Sequence, residues 1–316
     1  MRVLFAAHEN GWGGFFGLIR SELPEYEFVA TGRYGFDSLK GFDVLIPTMS
    51  RVSREVLETN DRLRLIQQAG AGLEGVDLAA ARDLGIYTAN VPAGLSGNAD
   101  SVAELGIYML IGLSRDIPGM AKSMSSRQMG LPSGRALSGK TVGLVGLGSI
   151  GEALVRRLKS FKVRLLAVKR SNTAKAKEDL GLDWVGGRED LPELFSRSDY
   201  VILCLPMTSE TKLLMNRETF SYMKRGAFLI NLARGGLVDW DALEDSLASG
   251  RLAGAGLDVF WEEPPDPNDP IFSYNVLATP HIGGGTDVSV QGIVKAVAEN
   301  LRRLENNLEP LHLKTP

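Results

Sequence analysis

Short apolar runs alternate with segments whose apolar residues recur at three- and four-residue spacing along nearly the whole chain. The first pattern predicts buried strands and the second amphipathic helices, and their alternation predicts a parallel α/β architecture. In the first hundred residues "RVLFAA", "YEFVAT", "DVLIP", "RLIQQA" and "IYTANV" read as strands, and "FFGLIRSEL", "SREVLETN" and "DLAAARDLG" as helices. A long helix is predicted from about Asn98 to Arg115. Asn98 serves as its N-cap, because an Asn side-chain oxygen can accept a first-turn N–H. The stretch "GMAKSMSSRQMGLPSGR" then reads as a loop from its Ser, Met, Gly and Pro content.

A second series begins at "TVGLVGLGSIG". Its strands are "TVGLVG", "RLLAV", "YVILCLP", "AFLINLA", "GAGLDVF" and "VLATP", with helices such as "ALVRRLKSF" and "DALEDSLASG" between them. The last helix, Asp287 to Glu305, places Val290, Ile293, Val294, Val297 and Leu301 on one stripe. It comes too late to start a third unit, so it is expected to return to the first, leaving the second as an insertion.

A chain of 316 residues is too long for one ordinary core, which fits two domains. The net charge of -3 comes without a basic tract, so no nucleic-acid partner is expected. No cleavable signal pattern opens the chain. The apolar run "AELGIYMLIGL" is too short for a bilayer and is followed by Arg115 and Asp116, so no membrane span is expected. Cys204 is the single cysteine and can form no internal disulfide. A reduced cytosolic setting is expected.

In "GLGSIG", Gly146, Gly148 and Gly151 follow an apolar strand and open a helical run, the context a dinucleotide turn needs. Gly146 permits the tight turn, Gly148 lets backbone approach a pyrophosphate, and Gly151 allows close helix–strand packing. Leu147, Ser149 and Ile150 complete the expected contact set. An acid for the ribose 2′-hydroxyl would stand about 20 residues further on. Lys169, Arg170 and Ser171 stand there instead. A carboxylate would repel a 2′-phosphate, whereas an Arg fork beside a hydroxyl would hold one, so NADP is the expected cofactor. The alternative is a pair of solvated charges, with NAD held through the turn alone.

Three later stretches, "INLARGGLVD", "GAGLDVFWEEPP" and "ATPHIGG", each end a predicted strand, where ligands bind in open α/β sheets. They supply Arg234, Asp258, Glu263 and His281. Taken singly, Arg234 could be a loop arginine, Glu262 and Glu263 a solvated turn, and His281 a structural histidine. Their order after the glycine turn argues against coincidence.

With these stretches the chain resembles the D-isomer-specific 2-hydroxyacid dehydrogenases, which include glyoxylate/hydroxypyruvate reductases and phosphoglycerate dehydrogenases. "GAGLEGVDL", "NVPAGLSGNADSVAE" and "CLPMTSETKLLMN" extend the resemblance over nearly the whole chain. It implies a Rossmann dinucleotide-binding domain (residues 99–282) inserted into a flavodoxin-like substrate domain (residues 1–98 and 283–316). It also implies an active site in the cleft between them and a homodimer built around the long helix. His281 would be the acid/base, with Glu263 on its other ring nitrogen; histidine titrates near neutral pH, and a carboxylate beside it favours the imidazolium. Arg234 would grip the substrate carboxylate and carbonyl oxygen, helped by the N–H groups of Ala71 and Gly72. Asp258 and the Ala233 carbonyl would hold the nicotinamide carboxamide. Leu205, Pro206, Thr211 and Gly283 would line the cofactor, and no metal is implied.

Many relatives carry a tryptophan in the loop after the long helix, and "SRQMGLPSGRALSGK" has none. "QQAGAGLEGVD" lacks the lysine expected for phosphite oxidation, and Glu263 stands where a formate dehydrogenase would be expected to have Gln. The expected activity is thus an NADP-preferring reductase of small 2-oxo acids. The rivals are an NAD-dependent phosphoglycerate-type dehydrogenase, which predicts an acid at 169 or 170, and a dinucleotide-sensing corepressor with slow turnover. "PTMSRV" could bring Met49 or Ser50 to the substrate rim, and "HENGWGG" could bring His8 and Trp12, though an ordinary loop is the favoured reading of His8.

Overall fold

The five apolar runs of the first hundred residues form β1 (Arg2–Phe5), β2 (Glu27–Ala30), β3 (Val44–Ile46), β4 (Leu65–Gln67) and β5 (Tyr87–Ala89). All pair in parallel, in the order β2-β1-β3-β4-β5, the flavodoxin-like arrangement. In the computed structural model, which describes residues 1–314, they belong to a unit of Met1–Ser101 plus the segment from Gly284 onward. Side chains alternate across this sheet as strand geometry requires. Val3, Phe5, Val44, Ile46 and Leu65 share one core with Phe15, Phe16 and Ile19 of the helix Phe15–Glu22. Leu4, Leu45 and Ile66 face a second core with Leu57, Ala80 and Ala81. The helix Asp287–Glu305 joins the first core through Val290, Ile293, Val294, Val297 and Leu301. At about 25 cal/mol per Å² of apolar area, that stripe is what fixes the returning helix here.

The second unit, Val102–Gly283, holds seven parallel strands. They are β6 (Thr141–Val145), β7 (Arg164–Val168), β8 (Trp184–Gly186), β9 (Tyr200–Leu203), β10 (Ala227–Asn231), β11 (Leu252–Leu257) and β12 (Val276–Ala278). Their order, β12-β11-β10-β9-β6-β7-β8, reverses direction between β6 and β9, which is the Rossmann switch point.

The structure differs from the sequence pattern in three places. β8 was not expected: "WVG" is three residues long and runs into Gly187, so it shows no alternation to read. The Ser/Met/Gly stretch after the long helix is helical over Ile117–Ser125. Asp116 caps it by accepting from the Gly119 N–H (3.0 Å), and Pro118 suits the first turn. The long helix spans Asn98–Arg115 and includes Asn98 as its first residue rather than its cap. Gly97, at φ +77°, precedes it and gives its carbonyl to the Ser101 N–H and Oγ. No helix among the described residues is long and apolar enough to cross a membrane.

Candidate active site

The turn after β6 is built as its glycines require. Gly146 has φ +104°, and a Cβ there would meet the Cys204 carbonyl and Leu205 Cβ. A Cβ on Gly151 would strike the Gly146 carbonyl, so the helix Ser149–Leu158 can approach the strand this closely only with glycine. Around Gly148 the space is open, leaving backbone accessible at a helix N-terminus, the environment a pyrophosphate needs. Leu147 is buried, while Ser149 is exposed and Ile150 partly so. The Gly146 N–H is tied to the Val168 carbonyl (3.0 Å), joining the turn to the end of β7. Cys204 lies beneath it, with Sγ 3.0 Å from the Gly146 carbonyl, and burial pushes its thiol up to about 12.

At the end of β7, Arg170 and Ser171 are exposed and Lys169 partly so. Among the described residues, the side chains of Lys169 and Arg170 make no hydrogen bond or ion pair. Thr211 is more committed. Its Oγ1 lies 2.9 Å from the Pro206 carbonyl and accepts from the Thr208 N–H (2.8 Å), bracing the loop that carries Leu205 and Pro206.

Four of the expected residues meet at the other end of this sheet. His281 Nδ1 lies 2.8 Å from Glu263 Oε2, with the two side chains 30% and 18% exposed. The second carboxylate oxygen of Glu263 accepts the Phe260 N–H (3.0 Å), so both oxygens are fixed. Burial raises the Glu263 pKa, but the hydrogen bond and charge of His281, the Phe260 N–H and the Arg234 charge outweigh it and hold the carboxyl below its usual range. Arg234 donates from Nη1 to the Ala233 carbonyl (2.6 Å). A Cβ on Gly235 would collide with the Phe260 carbonyl, so the arginine and glutamate loops touch backbone to backbone.

Asp258, 3% exposed, accepts from Thr279 Oγ1 (2.6 Å) and the Ile282 N–H (2.9 Å) on one oxygen and the Gly283 N–H (2.9 Å) on the other. It therefore clamps the segment that carries His281, and the Gly283 N–H is already engaged. Burial outweighs these bonds and the nearby His281 charge, so its pKa is raised.

Ala71 and Gly72 follow β4 in the first unit. Asn90 Nδ2 donates to the Ala71 carbonyl (2.7 Å) and Gln68 Nε2 to that of Gly72 (2.9 Å), while the N–H groups of both residues find no partner among the described residues. Two free, adjacent donors on a braced loop are suited to a carboxylate. Ser50 does not reach a rim: it is buried, with Oγ directed at the Ala6 carbonyl (3.2 Å). His8 is exposed and packs edge-on to Tyr34.

Sequence reasoning missed the residues that brace the site. Asn231, buried at the end of β10, donates to the Arg234 carbonyl (2.8 Å) and accepts the Ala233 N–H (3.1 Å), fixing the arginine turn. A buried polar residue closing an otherwise apolar strand was the available signal. Asn90 gave the same signal after β5, and Gln68, half-buried, is a polar residue directly after β4.

The residues around Gly148 fit a dinucleotide, and those around His281 fit proton transfer to an oxygen. The model of the family "D-isomer specific 2-hydroxyacid dehydrogenase, NAD binding domain" matches residues 107–283. A glyoxylate reductase from Pyrococcus furiosus is 37% identical over 276 residues, covering 84% of this chain and 80% of that protein. A D-3-phosphoglycerate dehydrogenase from Methanocaldococcus jannaschii is 34% identical over 292 residues, 90% of this chain, but the chain spans only 54% of that relative's length. The crystal structure of an NADPH-dependent glyoxylate/hydroxypyruvate reductase from Sinorhizobium meliloti, in complex with NADP and malonate, superposes with a TM-score of 0.84 at 28% identity, covering 99% of this chain and 96% of that one. The chain belongs to the D-isomer-specific 2-hydroxyacid dehydrogenases, and its second unit is their nicotinamide-dinucleotide-binding domain.

Proposed function

We propose that this chain is an NADPH-preferring reductase of small 2-oxo acids of the glyoxylate/hydroxypyruvate kind. The observation that carries the reading is the 2.8 Å contact between His281 Nδ1 and Glu263 Oε2. A carboxylate held ionised at Nδ1 fixes the imidazole's orientation and favours its protonated form, so that the ring would pass a proton from Nε2 to a substrate oxygen. When bound, the nicotinamide supplies the hydride equivalent. Gly146, Gly148 and the N-terminal turn of Ser149–Leu158 would hold its pyrophosphate, with Leu205 and Pro206 beside it. Lys169, Arg170 and Ser171 would hold a 2′-phosphate.

Arg234 grips the substrate carboxylate and leans on the carbonyl oxygen, and the N–H groups of Ala71 and Gly72 are further carboxylate donors. As negative charge develops on the carbonyl oxygen, Arg234 stabilises it and His281 delivers its proton. The imidazole is left neutral and regains a proton from solvent. In the oxidative direction the neutral imidazole accepts the hydroxyl proton. The first unit then serves as the substrate domain. A homodimer belongs to the same proposal: Tyr108 and Ile111 on the long helix and Met124, Met129 and Leu131 after it leave apolar surface exposed, and light scattering reads the assembly mass directly.

The test is loss of reduced-cofactor absorbance with glyoxylate and with hydroxypyruvate, using NADPH and NADH at equal concentration. Faster turnover with NADPH is expected. Turnover with NADH alone removes the 2′-phosphate reading, and tight cofactor binding without turnover on either acid favours a sensor.

A further inference from the structure

Arg188 opens the turn after β8. Its Nη1 donates to Glu210 Oε2 (2.9 Å) and its Nη2 to the Glu210 carbonyl (3.1 Å). Glu210 lies in the loop after β9, and in the sheet β6 and β7 stand between β8 and β9. At roughly 4.8 Å per strand the loops joined by this pair leave the sheet about 14 Å apart. They flank the strands whose ends carry the glycine turn and Lys169. The Lys169 N–H donates to the Gly186 carbonyl (3.1 Å), and Arg188 follows Gly186 by two residues. Lys169, Arg170 and Arg188 therefore leave adjacent strand ends. Of the three, Arg188 alone has an acidic partner among the described residues.

That partnership is weak by construction. The two side chains are 59% and 71% exposed, and solvent screens such a pair heavily. The neighbouring Asp190 carboxylate is already bound to the Gly187 N–H (2.8 Å), so it does not compete strongly for the guanidinium. A phosphate dianion offers the Arg fork two short charge-assisted bonds and more charge than Glu210 does. We propose that Arg188 is a third cation of the adenosine 2′-phosphate site, held beside it by Glu210 until a 2′-phosphate takes the guanidinium. The inference rests on the NADPH reading above. It assigns cofactor discrimination to a residue outside the β7 strand end, and it makes the loop after β9 respond to which dinucleotide is bound.

The test is equilibrium binding of NADPH, NADH and 2′,5′-ADP, followed by protein fluorescence, in the unsubstituted protein, Arg188→Gln, Glu210→Gln and the Lys169→Val/Arg170→Asp variant. Arg188→Gln is expected to weaken NADPH and 2′,5′-ADP about tenfold, the worth of one charge-assisted bond at an exposed site, and to leave NADH unchanged. Glu210→Gln is expected to keep or tighten NADPH binding. If the unsubstituted protein prefers NADPH and Arg188→Gln keeps that preference in full, the Arg188 inference falls while the NADPH reading stands. Equal weakening of NADPH and NADH would overturn it too, making Arg188 part of the adenosine rim alone. If the unsubstituted protein binds NADPH no tighter than NADH, the NADPH reading fails and takes this inference with it.

Discussion

The two ends of the second sheet are built on opposite principles. At the β11–β12 end, every oxygen of Asp258 and Glu263 is spoken for, and the bonds run to backbone N–H groups, to Thr279 and to His281. At the β7 end, Lys169 and Arg170 make no side-chain bond within the described residues, and the nearby Arg188 holds only an exposed partner. A proton-transfer group must be fixed before the substrate arrives, because misplacement costs rate directly. A phosphate-binding group can instead stay solvated and be ordered by the charge it binds. On the proposed function, catalysis would rest on the protein's own hydrogen bonds, and cofactor choice on charges that are unbonded or held only by an exposed partner.

The sharpest way to break this contrast is His281→Ala. It is expected to lower kcat by about 10²–10⁴, the range of a lost general acid/base, while NADPH affinity measured by fluorescence stays nearly the same. Loss of cofactor affinity would place His281 in the binding machinery instead. Next comes the open end. Lys169→Val with Arg170→Asp is expected to weaken NADPH by about 10- to 100-fold in titration, since both side chains face solvent and their bonds are partly screened. NADH affinity is expected to hold or rise. A double variant that binds NADPH as before would show that these charges are ordinary surface.

The same contrast decides what a sequence can say. The apolar runs became strands wherever they were long enough to show a pattern, and the stripe on Asp287–Glu305 correctly sent that helix back to the first unit's core. β8 was invisible because a three-residue strand that ends in the first of two glycines carries no period. Arg234, Asp258, Glu263 and His281 were legible as residue types at strand ends. That Asp258 holds the His281 segment was not, because its partners lie 21 to 25 residues away and two of them are backbone N–H groups. The Arg188–Glu210 pair was hidden for a similar reason: two strands that intervene in space fall elsewhere in sequence.

Asp258 and Glu263 give the smallest and most discriminating effect, because burial wins at one and a cation at the other. Glu263 has a folded pKa below its unfolded value, so the stability it contributes is present above about pH 4.5 and is lost as pH falls through the lower folded value. Asp258 has a folded pKa above its unfolded value, so its contribution is full below the unfolded pKa and shrinks as pH rises through the folded one. Denaturant unfolding from about pH 3 to 7 should therefore show two opposite trends. The stability gap between the unsubstituted protein and Glu263→Gln should narrow on acidification, and the gap to Asp258→Asn should widen. Asp258→Asn should also cost about 1–3 kcal/mol overall, since its amide cannot accept on both sides and leaves the Gly283 or Ile282 N–H unpaired. If both gaps moved the same way with pH, the two carboxylates would share one electrostatic environment. The division between a clamp set by burial and an acid partner set by His281 would then collapse.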